Sequence, residues 1–181
     1  MSSREEQDLA GTVIDSLKFA ADGGCITGKL ALTSLSRLAD VLVRPTGSLQ
    51  CELTGVPEMG GAGGPGLHLR VSGRVGLQCQ HCLAEVGFEC AIDSRLLLIP
   101  SGAPEESWPA DELESDEYDA MPASRELSVL ELVEEEVLLA LPIVPRHADC
   151  LLPAAALVGA GAEIEESVPS PFAVLAGLKK H

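Results

Sequence analysis

Two short stretches carry the residues best suited to chemistry. Cys79-Gln80-His81-Cys82 places two thiols three residues apart, and His147-Ala148-Asp149-Cys150 repeats that spacing with an imidazole and a thiol. A C-x2-C knuckle lets two thiolates reach one tetrahedral ion at about 2.3 Å each, so one knuckle is half a zinc site. An H-x2-C pair can supply the other half. Cys79, Cys82, His147 and Cys150 are therefore expected to form a closed Cys3His structural site for one zinc ion. The plainer alternative leaves Cys79 and Cys82 as reduced thiols in a turn and His147 as an ordinary polar residue. A redox C-x2-C is the weakest reading, because it belongs at a helix start in a βαβ unit. Cys25, Cys51 and Cys90 are expected to be free buried thiols.

The remaining titratable residues are less suggestive. His81 could compete as a ligand but reads as an exposed turn residue, His68 falls on the polar side of a strand, and His181 is terminal. Glu134, Glu135 and Glu136 are successive helical positions, which point in three directions and favour a solvated face over an acid/base set. No G-x-S-x-G, H-E-x-x-H or Walker pattern occurs, and the glycines between 60 and 66 are not followed by Lys-Ser/Thr. A non-enzymatic protein is expected.

These residues need elements to hold them. From Leu67 the chain alternates: Leu67, Leu69, Val71, Val75 and Leu77 point one way, and His68, Arg70, Ser72, Arg74 and Gln78 the other. Past the knuckle, Val86, Phe88, Cys90 and Ile92 oppose Glu85, Glu89 and Asp93. The two runs should pair antiparallel, with Arg70 and Arg74 near acids on the solvent face and the knuckle at the turn. Leu96 to Ile99 extends the apolar surface. Earlier strands are expected around Cys25–Leu30 and Ser48–Val56, with a short helix through Leu35, Leu38 and Leu42 capped by Thr33 or Ser34. Ser128-Val129-Leu130-Glu131 has the form of a capping box, opening a helix that Pro142 stops. Its apolar stripe is expected to be Leu130, Val133, Val137, Ala140 and Leu141.

The fold class that follows is α+β: an antiparallel sheet, which could close partly into a barrel, with the 128–141 helix packed on it. Residues 1–150 are expected to form one domain, followed by a mobile tail over 151–181. At 181 residues, two full domains do not fit comfortably. The start of the chain shows no targeting segment and no apolar run long enough to span a bilayer, and six cysteines without a secretory signal suit a reducing cytoplasm.

The net charge is −16, with 12 Lys+Arg against 28 Asp+Glu, and it is lopsided. The first hundred residues carry 11 acids and 8 bases, the rest 17 and 4. Eight of the acids fall between Ser101 and Ala120, in what reads as a solvated acidic loop. Phosphate binders gain affinity through Lys and Arg, so this balance argues against an electrostatic clamp on DNA or RNA, and against an anionic membrane. A charged partner should be basic.

Three blocks together resemble a known family. They are Leu77-Gln78-Cys79-Gln80-His81-Cys82, the run Leu130-Glu131-Leu132-Val133-Glu134-Glu135-Glu136 through Leu141-Pro142 to Pro145-Arg146-His147 with Cys150 after it, and Pro171-Phe172-Ala173-Val174-Leu175-Ala176-Gly177-Leu178-Lys179. In that order they resemble the YceD family of large ribosomal RNA subunit accumulation proteins, whose members usually carry Arg where His81 stands. The resemblance implies a bacterial cytoplasmic factor for synthesis, processing or stability of 23S ribosomal RNA. Reconciling that role with the charge leaves two mechanisms. Either the acidic loop Glu105 to Asp119 and the face carrying Glu131, Glu134, Glu135 and Glu136 bind a basic ribosomal protein or processing factor on the large-subunit precursor, the preferred one, or a small patch of Arg70, Arg74, Lys179 and Lys180 touches RNA. A zinc-stapled acidic adaptor for a basic partner unrelated to ribosomes is the alternative function.

Overall fold

The computed structural model describes residues 7–59, 64–100 and 118–150. Short strands β1 (Gln7–Asp8) and β2 (Val13–Ile14) lead to helix α1 (Ser16–Ala21), then β3 (Cys25–Ala31), a 3-10 turn (Leu32–Ser34) and helix α2 (Ser36–Val41). Three long strands follow: β4 (Ser48–Met59), β5 (Gly64–Gln78) and β6 (Glu85–Ile99). β7 (Asp119–Pro122), β8 (Leu127–Ser128) and helix α3 (Val129–Ala140) complete the described chain.

The main sheet runs β1-β3-β4-β5-β6-β7. β3 to β6 pair antiparallel, while β1 joins β3 and β7 joins β6 in parallel. The α+β class and its antiparallel centre match expectation, and among the described residues the sheet is open, with no closed barrel. A second, two-stranded sheet pairs Val13 with Ser128 and Ile14 with Leu127, fastening the start of the described chain to the start of α3.

Alternation in β5 does what side-chain period two requires. Leu67, Leu69, Val71, Val75 and Leu77 are buried, and their register partners on β4, such as Leu53 opposite Leu69 and Cys51 opposite Val71, face the same core. Fully burying one such Leu or Val side chain contributes roughly 1.5–3 kcal/mol relative to leaving it exposed. α3 closes the core with Val129, Leu132, Val133 and Val137 against β6 and α2. α1 lies on β4 at Gly55, where a Cβ would stand 2.8 Å from the Ala20 Cα, so only a glycine lets helix and strand come this close.

Some boundaries moved. Thr33 and Ser34 lie in the 3-10 turn, and α2 starts after Leu35 with no side-chain cap. Leu96–Ile99 extends the apolar surface as expected, forming the end of β6 with all four residues buried. Ser128 caps α3 as its spacing predicts, its hydroxyl accepting from the Glu131 amide at 3.3 Å. The acidic loop lies almost entirely, and the 151–181 tail wholly, outside the described residues.

Candidate metal centre

β5 ends at Gln78 and β6 begins at Glu85, so residues 79–84 form the hairpin tip. The Cys79 amide donates to the Ala84 carbonyl at 2.9 Å, continuing the ladder, and the Leu83 amide donates back to the Cys79 carbonyl at 2.9 Å. Leu83 takes a left-handed backbone, φ 62°, an uncommon conformation for a side chain of its size. The folded tip turns amides onto the buried Cys79 sulfur. The backbone amide of Cys82 first, with those of His81 and His147, pulls the thiol down to about 5 against the opposing effect of burial.

The second pair arrives from the segment after α3. The Gln80 amide donates to the Pro145 carbonyl at 2.9 Å, laying that segment across the tip. His147 Nε2 lies 3.0 Å from the Glu85 carbonyl, to which only a protonated nitrogen can donate, and Nδ1 is thereby left to act as a ligand. The Cys79 thiolate and that carbonyl push the imidazole above its ordinary value. Burial, with the neighbouring Cys82 and Cys79 sulfurs, pushes the Cys150 thiol up to about 11.

The four donor atoms of Cys79, Cys82, His147 and Cys150 lie within 4.8 Å of one another. Cys79 Sγ is 3.7 Å from Cys150 Sγ, and Cys82 Sγ is 3.5 Å from His147 Nδ1. Two thiolates on one tetrahedral ion at ordinary bond lengths stand about 3.8 Å apart, and a thiolate and an imidazole nitrogen about 3.6 Å apart. Both observed separations match, and 3.7 Å is far beyond the roughly 2.05 Å of a disulfide. These residues can hold a metal. One sulfur is readily deprotonated while its neighbour is forced to keep its proton, a conflict that a divalent cation removes.

His81 is more engaged than a bare turn residue: its Nδ1 lies 3.0 Å from Cys150 Sγ, within reach of an N–H to sulfur hydrogen bond. The contact crosses 69 positions and fits the ligand-competing role its place in the knuckle allowed better than the exposed-turn reading. Cys51 and Cys90 are buried thiols as expected, Cys51 pushed up to about 12 by burial, but Cys25 is exposed.

The four glutamates of α3 do not share a face. Glu131 and Glu135 are exposed. Glu134 is buried, accepting from Arg37 Nε at 2.9 Å and from the Leu38 amide at 3.2 Å. Glu136 is partly buried and accepts from the Ser94 hydroxyl. On the polar face of the sheet Arg70 pairs with Asp93 at 3.2 Å and Glu52 at 3.4 Å, Arg74 with Glu89 at 3.3 Å, and His68 with Asp93 at 2.7 Å. Lys179 and Lys180, the other half of the expected basic patch, lie outside the described residues.

No helix among the described residues is long and apolar enough to cross a membrane. No solved structure matches the chain. A family model does, over residues 67–179, a span that opens within β5 and takes in the knuckle, α3 and all four candidate ligands. That match covers more than half of the sequence, and the chain accordingly belongs to the family described as large ribosomal RNA subunit accumulation protein YceD.

Proposed function

We propose that the protein is a non-enzymatic ribosome-biogenesis factor of the bacterial cytoplasm, needed for synthesis, processing or stability of 23S ribosomal RNA and acting through protein contacts on the large-subunit precursor. Family membership is the observation that carries this reading. The charge supports a protein contact over an RNA contact: the described arginines Arg70 and Arg74 are already paired with carboxylates, whereas Glu131 and Glu135 face solvent. A basic ribosomal protein or processing factor is the partner such a surface attracts. One structural zinc on Cys79, Cys82, His147 and Cys150 would fasten the hairpin tip to the segment after α3. Such an ion supplies cohesion and no reaction, since all four positions of a tetrahedral site would be filled by protein.

Sedimentation of the tagged protein with large-subunit precursors tests this. The wild type should travel with them, Glu131→Lys with Glu135→Lys should release it, and Arg70→Ala with Arg74→Ala should leave it bound. The opposite pattern would mean that RNA is the contact. A wild type that stays at the top of the gradient would point to an adaptor unrelated to ribosomes. Glu134 is unsuitable for charge reversal, because its carboxylate is committed inside the fold.

A further inference from the structure

Among the described residues, β6 has a backbone edge without a strand partner. Along its other side it pairs with β5 from Glu85 to Leu97, but β7 covers it only at Leu96–Ile99. The Glu85 carbonyl points away from β5 and accepts from His147, and in a strand every second residue presents its amide and carbonyl the same way. Gly87, Glu89, Ala91 and Asp93 therefore aim backbone donors and acceptors outward, and none has a backbone partner there among the described residues. Exposed edges are a recurring hazard that proteins blunt with bulges, prolines, charged side chains or covering segments; among the described residues no bulge, proline or paired strand lies along Gly87–Asp93, which carries only the charges of Glu89 and Asp93.

The side chains beside that edge differ between its two faces. Toward α3 lie Phe88 and Ile92, packed on the core but only half-buried. On the opposite face lie Glu89 and Asp93, whose inner sides meet Arg74 and Arg70 of β5 and which stay 71% and 58% exposed. A carboxylate offers about four acceptor sites, so Glu89 with one cationic partner and Asp93 with two, Arg70 and His68, both keep capacity for another donor. The exposed Glu131 and Glu135 add negative field from α3.

We infer that the Gly87–Asp93 edge of β6 binds an extended segment of a basic partner protein by strand addition, a segment in which Lys or Arg alternates with apolar residues. Main-chain hydrogen bonds would supply affinity and the alternate side chains register, as in other strand additions. The apolar residues would lie against Phe88 and Ile92, the cations against Glu89 and Asp93. A second copy of the chain is a poor occupant, because it would bring a further −16 and set acidic rows side by side. The inference rests on the reading that the protein recruits a basic protein, and it adds where and how.

Two experiments on the full chain test it. In the first, amide hydrogen exchange is followed with a nine-residue synthetic peptide of alternating valine and lysine. Saturation should slow exchange at Glu89, Ala91 and Asp93 at least tenfold, leaving Cys90 and Ile92, already bonded to β5, unchanged. A valine–glutamate peptide, or the valine–lysine peptide methylated at alternate backbone nitrogens, should leave all five amides unchanged. Protection confined to α3, or the same protection from the methylated peptide, overturns the inference. So does slow exchange at these amides without peptide, whether it depends on protein concentration, indicating a second copy, or not, indicating a covering segment of the chain itself. In the second, Ala91→Pro removes an outward amide without touching the β5 ladder and should release the protein from large-subunit precursors. If Ala91→Pro stays bound while Glu131→Lys with Glu135→Lys is released, strand addition is wrong and the broader reading stands; if both stay bound, the broader reading is wrong as well.

Discussion

Two carboxylates separated by one residue position on α3 behave oppositely. Glu134 is buried between Arg37 and the Leu38 amide, and although burial opposes its ionisation, those hydrogen bonds hold its carboxyl below the ordinary glutamate value. Its folded value is thus lower than its unfolded one. The stabilisation is complete at neutral pH and declines as the pH falls from about 4.3 through the folded value. Glu134→Ala should destabilise by about 1–3 kcal/mol in denaturant titration at pH 7, the cost of leaving the Leu38 amide unpaired. Glu135→Ala should change stability by less than about 0.5 kcal/mol. For the metal, protein purified without chelator should hold about one zinc per chain. Cys82→Ser should lose it, and Cys25→Ser, at an exposed thiol remote from the cluster, should keep it, as read by metal analysis. At this scale the sequence was legible where ligands announce themselves by spacing. It was illegible at Glu134, whose partners lie 96 and 97 positions earlier, so that helical periodicity assigned it to solvent.

Among the elements, the β5–β6 hairpin and α3 were readable because each is long enough for its period to repeat and one face of each is buried. β1, β2 and β8 are two residues each, too short to show any period, and exist because backbone partners elsewhere accept them. Openness of the sheet was also beyond the pattern, since alternation reports which side of a strand is buried and not whether the last strand meets the first. The packing of α1 on β4 depends on one missing side chain. Gly55→Ala would drive a methyl into the backbone of Phe19 and Ala20 and should cost about 1–3 kcal/mol by thermal or denaturant unfolding, with α1 displaced in the folded protein.

For the molecule as a whole, the acidic excess of the second half is best understood as a preference about partners. If association with large-subunit precursors is carried by carboxylates meeting a basic protein, it should weaken steadily as ionic strength rises from about 0.05 to 0.5 M, because exposed charges are screened. The apolar and backbone contacts of an added strand would leave a residual that salt does not remove. Sedimentation across that series, with Glu131→Lys plus Glu135→Lys as comparison, measures both parts. A series flat with salt would mean that charge does not drive recruitment.

The hairpin tip and its second pair of ligands also meet at a cost in time. Cys79 and Cys82 leave the ribosome about 65 residues before His147 and Cys150, which at about 5–20 residues per second is a wait of several seconds. Over that interval the nascent chain offers only two sulfurs and must go on to finish β6, the acidic stretch and α3 before the cluster can be completed. A full complement of ligands would thus mark a polypeptide whose synthesis has passed residue 150, so that metal occupancy would report completed translation of the folded body.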